Sequence, residues 1–97
     1  MPHCVAIIED ARPDTAVGIW FPDLPGCFSA GDDIDAALRN APEALALYAE
    51  ALEKDGRALP KPRSVAALRD DPEVAPDLRE HIVALVQVPM SAVHAAE

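Results

Sequence analysis

Apolar and polar positions change their spacing twice along this chain. Cys4–Ile8 is an unbroken short run of small and β-branched apolar residues, closed by Glu9-Asp10 and then by Arg12-Pro13-Asp14, which predicts a strand followed by a turn. Over Ala16–Phe21 the period is two. Val17, Ile19 and Phe21 share one face, and Ala16, Gly18 and Trp20 share the other, as in a second strand. Pro22-Asp23-Leu24-Pro25-Gly26 is turn chemistry, because proline presets φ and glycine accepts positive φ; Cys27–Ala30 then reads as a short third strand ending at Gly31.

From Asp32 the period lengthens to that of a helix. Asp32-Asp33 supplies an N-cap and Asp35 a favourable first-turn charge. Ile34, Leu38, Ala41, Leu45, Tyr48 and Leu52 follow alternating steps of four and three, one apolar stripe that ends near Gly56, a C′ residue. Pro42 lies inside the stripe, but the phase is kept through it, which favours one kinked helix over two. A helix of about 22 residues is roughly 33 Å long, so one end overhangs a sheet of ordinary strands. Beyond it, Leu59-Pro60-Lys61-Pro62 is an extended crossover, Ser64–Asp70 a short helix capped by Ser64, and Asp71-Pro72 a further turn. Ile82–Val88 is almost uniformly apolar, a strand ended by Pro89.

This order predicts an α+β fold of two layers: a three-stranded antiparallel meander, a long helix and a fourth strand (β-β-β-α-β), with sheet order 3-2-1-4. A single crossover helix makes the third and last strands parallel, with a right-handed connection. That helix covers one face, and the other is left apolar without a helix over it, so a second chain is expected there. Residues 1–89 form the domain, and residues 90–97 a flexible tail.

Composition narrows the function. Seventeen acidic residues against eight basic ones give a formal charge of −9 over 97 residues. The basic residues form no run, so neither a nucleic acid nor an anionic membrane is the expected partner. An acidic surface suits a basic protein instead. No apolar run reaches a membrane span, no signal peptide precedes the first strand, and the expected location is the cytoplasm.

The segment Ile19-Trp20-Phe21-Pro22-Asp23-Leu24-Pro25-Gly26-Cys27-Phe28-Ser29-Ala30-Gly31-Asp32 resembles the signature stretch of the HicB antitoxin family. Ala36–Ala41, Glu43-Ala44-Leu45, Tyr48, Leu52, Asp55-Gly56, Leu59-Pro60-Lys61-Pro62 and Asp71-Pro72-Glu73-Val74 continue the likeness, which covers residues 4 to about 89. The resemblance implies a partial RNase H-like fold. It also implies a function: binding and blocking a HicA-type toxin, a small basic mRNA-cleaving protein. Many members carry a C-terminal DNA-binding domain; only a short tail follows Val88 here, so direct operator binding is not expected. A homo-oligomer, dimer or tetramer, is expected from the open face and short edge strand. The alternative is a solitary oligomeric domain without a toxin.

Two-metal hydrolysis needs converging carboxylates; Glu9-Asp10, Glu43 and Glu50 are available, but the last strand has none, so no enzyme is expected. His3, His81 and His94 are scattered and read as solvated or strand-edge side chains. Cys4 and Cys27 lie two strand spacings apart, roughly 9.6 Å, beyond disulfide reach. They read as small apolar packers, and no cofactor or metal is expected. In the Phe21–Phe28 turn the prolines and Gly26 fix a tight connection, with Leu24 plugging the core. The same rigid loop, with Leu24 and Phe28 partly exposed, would dock a partner at low entropy. Trp20, Phe21, Asp23, Leu24, Pro25, Cys27 and Phe28 are therefore the candidate partner-contacting residues.

Overall fold

The computed structural model describes residues 3–10 and 16–88. The tail predicted over 90–97, the turn at Arg12-Pro13-Asp14, Pro89 and His94 lie outside the described residues. Four strands, β1 (His3–Glu9), β2 (Val17–Trp20), β3 (Phe28–Gly31) and β4 (Ile82–Gln87), form one sheet in the order β3-β2-β1-β4. Three helices, α1 (Ile34–Lys54), α2 (Val65–Arg69) and α3 (Ala75–Glu80), connect β3 to β4. The order and the meander are those the residue periods predict.

α1 is one helix running through Pro42, whose ring is on the exposed side. Asp33 caps its start, with Oδ1 accepting from the Ala36 N–H at 2.7 Å. Its end is a Schellman motif: the Gly56 N–H donates to Glu53 O at 2.9 Å and the Arg57 N–H to Leu52 O at 2.8 Å, with Gly56 at φ 73°. The stripe residues Ala41, Leu45 and Leu52 are buried with Ala37 and Ala49, and the main core joins this face of α1 to Cys4, Ala6, Ile8, Val17, Ile19 and Val86. This core is mainly aliphatic, with Phe21 as its buried aromatic ring.

Two expectations are corrected. First, β4 runs antiparallel to β1, pairing Ile8 with Ile82 and Cys4 with Val86, so it is antiparallel to β3 in direction, not parallel. After α1 returns along the sheet, the chain crosses to the second face and climbs it through α2 and α3, so β4 starts from the opposite end. Second, that face is not bare. Leu68 and Val74, with Val65 and Leu78, pack on Val5, Ile7, Trp20 and Val83 as a second small core. α3 escaped the sequence reading because it is six residues long, opens on Ala75-Pro76 and buries no residue fully. Leu85 at 61% and Phe28 at 69% remain exposed on opposite edge strands of this face.

The two cysteines are free and buried, and burial pushes both thiols up to about 11, with Asp23 and Cys27 adding to the effect at Cys4. At pH 8 only about one thiol in a thousand is then ionised. Both are expected to resist an aromatic disulfide reagent in native buffer and to react completely in denaturant, as read by thiol release. The sign for stability follows: neutral thiols are favoured in the fold, so their contribution is complete below pH 9 and is lost as pH rises towards 11.

Candidate functional site

The Phe21–Cys27 connection is built from two successive turns. The Leu24 N–H donates to Phe21 O and the Cys27 N–H to Leu24 O, each at 3.0 Å, and Gly26 takes φ 86°. Phe21, Leu24 and Cys27 point into the core, 2%, 1% and 3% exposed. They anchor the loop and offer a partner no surface; Leu24 is the plug, and the exposure allowed for it above does not occur. Burying three side chains from seven residues leaves the loop little conformational freedom.

Two further contacts fix it. Tyr48 Oη donates to Pro25 O at 2.9 Å, tying the loop to α1. Asp23, its side chain 8% exposed, accepts from the Arg63 N–H at 2.8 Å and from Arg63 Nε at 2.6 Å. Arg63 Nη1 also reaches Asp71 Oδ2 at 3.1 Å, while Asp71 Oδ1 accepts from the Glu73 N–H at 2.9 Å. The crossover after Pro62 is thereby strapped across the loop. The Glu73 N–H and the Arg63 guanidinium hold the Asp71 carboxyl below the usual carboxylate range. The stabilisation from Asp71 is present above its unfolded pKa near 3.8 and fades as pH falls through its lower folded value. Asp23→Ala removes both acceptors of the strap and is expected to lower Tm by about 5–10 °C at pH 7, measured by thermal denaturation.

What the loop does present is Phe28, at its exit and 69% exposed, with Pro25 beside it. Phe28 and Leu47 of α1, the latter 59% exposed, both border a shallow groove of about 290 Å³ lined also by Gly26, Cys27, Ala44 and Tyr48, with the Phe28 side chain on the second-face side of its strand, next to Trp20. Glu43 and Glu50 stand exposed one turn either side of Leu47 on α1, and Glu50 is paired with Lys54 at 3.7 Å. Trp20, half-buried, lies on the second face against Val5 and Ile7 and serves packing. Leu47 was missed by the sequence reading, although its signal was there: a large apolar residue outside the apolar stripe of an amphipathic helix.

The carboxylates considered for hydrolysis do not converge. Among the described residues the one cluster with metal-ligand spacing is Asp77, Glu80 and His81, without Glu43 or Glu50. No described helix is long and apolar enough to cross a membrane.

The family model for HicB-like antitoxins of bacterial toxin–antitoxin systems matches residues 4–97. An uncharacterised 14.9 kDa protein of Haemophilus phage HP1 is 37% identical over 90 residues, and the chain spans 93% of its own length but 61% of that relative's. The Burkholderia pseudomallei antitoxin HicB superposes with a TM-score of 0.73 at 29% identity, covering 95% of this chain and 67% of that one. A chain of the HicA3 and HicB3 toxin–antitoxin complex gives 0.66 at 30% identity, covering 92% of this chain and 99% of that one.

Proposed function

This chain belongs to the HicB-like antitoxin family, and we propose that it neutralises a small basic mRNA-cleaving toxin of the HicA type by direct contact. The family is one of antitoxins, proteins that act by binding and not by catalysis. The observation that carries the reading is the exposed rim at the β3–α1 edge: Phe28 and Leu47, two large exposed apolar residues on rigid supports that border one groove, with Glu43 and Glu50 either side of Leu47. An apolar centre with an acidic rim matches a basic partner, the centre supplying affinity and the rim steering the encounter. A chain of similar fold and 30% identity in a HicA3–HicB3 complex supports the same partner class. The complex forms in the cytoplasm, and with a net charge of −9 this chain does not itself bind nucleic acid.

The test is RNA cleavage by the purified HicA-type toxin of the same genome, with this chain added in increasing amounts. Cleavage falling to background near molar equivalence is expected. Cleavage undiminished at excess overturns the reading.

Self-association is a second reading, favoured by β4. It is an edge strand of six residues, Ile82–Gln87, with no charge or proline to protect it and with Ile82 and Leu85 exposed. Light scattering on the isolated chain should give the mass of a dimer or tetramer; a monomer at micromolar concentration removes this reading and leaves the toxin contact standing.

A further inference from the structure

At the end of the sheet opposite the Phe21–Cys27 loop, three elements meet. β1 ends in Glu9, and the pairing of Ile8 with Ile82 places Glu9 beside His81, the residue just before β4. α3 brings Asp77 and Glu80 to the same spot, and the His81 N–H donates to Asp77 O at 3.0 Å, which sets the root of the imidazole. The ligand atoms of Asp77, Glu80 and His81 all lie within 4.8 Å of one another. His81 Nε2 is 3.5 Å from Glu9 Oε1 and 3.9 Å from Asp77 Oδ1. Glu80, His81 and Asp10 also border a cleft of about 230 Å³ with Ile8 and Ile82.

The charges at this spot are not balanced within the fold. Among the described residues, no Lys or Arg makes an ion pair with Glu9, Asp77 or Glu80; the described ion pairs of Lys54 and Arg63 lie elsewhere. Three carboxylates converge on one imidazole, and like charges at this separation repel. α3 is meanwhile weakly secured, with no side-chain cap at its start and no fully buried residue.

We propose that Glu9, Asp77, Glu80 and His81 bind a divalent transition-metal ion of the zinc class, and that the ion fastens α3 to the β1–β4 edge. One imidazole nitrogen with carboxylate oxygens is a donor set for zinc and its neighbours, whereas magnesium and calcium take oxygen alone. Ligand atoms around a tetrahedral zinc with bonds near 2.0 Å stand roughly 3.3 Å apart. The 3.5 and 3.9 Å separations need only small side-chain movements, which a partly exposed site permits. Because the donors come from β1, α3 and the α3–β4 junction, they are gathered only in the folded chain. Binding therefore stabilises the native state by mass action.

The experiment is calorimetric titration of the metal-free full chain with zinc chloride, paired with thermal melts at rising zinc. Uptake of one equivalent is expected, with a rise in Tm that grows with zinc and no comparable uptake of magnesium. His81→Gln should weaken uptake by roughly tenfold or more and remove the rise in Tm. Asp77→Asn gives the same loss and serves if His81→Gln does not fold by circular dichroism. His3→Gln should bind like the parent. Absence of uptake at about millimolar zinc, or undiminished binding in the folded His81→Gln or Asp77→Asn chain, overturns the proposal.

Discussion

Gly31→Ala is expected to destabilise the protein by about 3 kcal/mol, lowering Tm by roughly 15 °C, although it adds a single methyl group. A Cβ at Gly31 would lie 2.4 Å from the Ala37 nitrogen and 2.7 Å from the Ala36 carbonyl carbon and Cβ. Two of these three are backbone atoms, so no rotamer change relieves the overlap. The first turn of α1 cannot retreat cheaply either. The Ala37 N–H is bonded to Asp33 O at 3.0 Å, buried Ser29 donates from Oγ to Ala37 O at 3.0 Å, and Asn40 Nδ2 donates to Ala30 O at 2.8 Å. Moving the helix away breaks bonds between α1 and β3, and moving β3 breaks its pairing with β2. Gly18→Ala is the control: nothing lies within 4 Å of its added Cβ, and its backbone is not in the positive-φ region. It should be neutral or stabilising by up to about 1 kcal/mol. Equal melting temperatures for the two variants would show that α1 is not clamped against Gly31.

The second large effect belongs to the proposed toxin contact. Phe28→Ala and Leu47→Ala should each weaken binding by roughly 30-fold, about 2 kcal/mol apiece, if the groove is the centre of the interface. Both side chains are mostly exposed, so the parent Tm should be kept within a few degrees, which separates a binding loss from a folding loss. Trp20→Ala should do the reverse, since Trp20 packs on Val5 and Ile7: stability falls first, and affinity follows only through the unfolded fraction. Glu43→Lys with Glu50→Lys should slow association and weaken its salt dependence while leaving dissociation nearly unchanged. Surface-binding kinetics against the toxin, with a thermal melt of Trp20→Ala, give these readings. Unaltered affinity for both Phe28→Ala and Leu47→Ala would move the interface off this groove.

The loop's rigidity was legible in its residues, because Pro22, Pro25 and Gly26 restrict or permit dihedrals locally. Which of its side chains look outward was not. Phe21, Leu24 and Phe28 are all large and apolar, and the sequence alone ranks none of them as exposed. Packing against α1 and β1 buries the first two, whereas Phe28 falls on an edge strand, on the face reached by neither α1 nor the core of α2 and α3. The strap from Asp23 to Arg63 spans forty residues and leaves no periodic trace.

By itself the sequence determined whatever depends on near neighbours. The three-strand meander, the capped helix with its Schellman end and the Ser64-capped turn of α2 all follow from period, capping and turn residues, which act within a few positions. The strand order came from combining those elements with general rules of connection. Tertiary structure decided the direction of β4, the cover that α2 and α3 give the second face, and the meeting of Glu9 with His81. Each depends on which end of the sheet the chain occupies after α1. That choice is set by burying Leu68 and Val74 against Val5 and Ile7, an interaction between segments some sixty residues apart, and a local pattern carries no record of it.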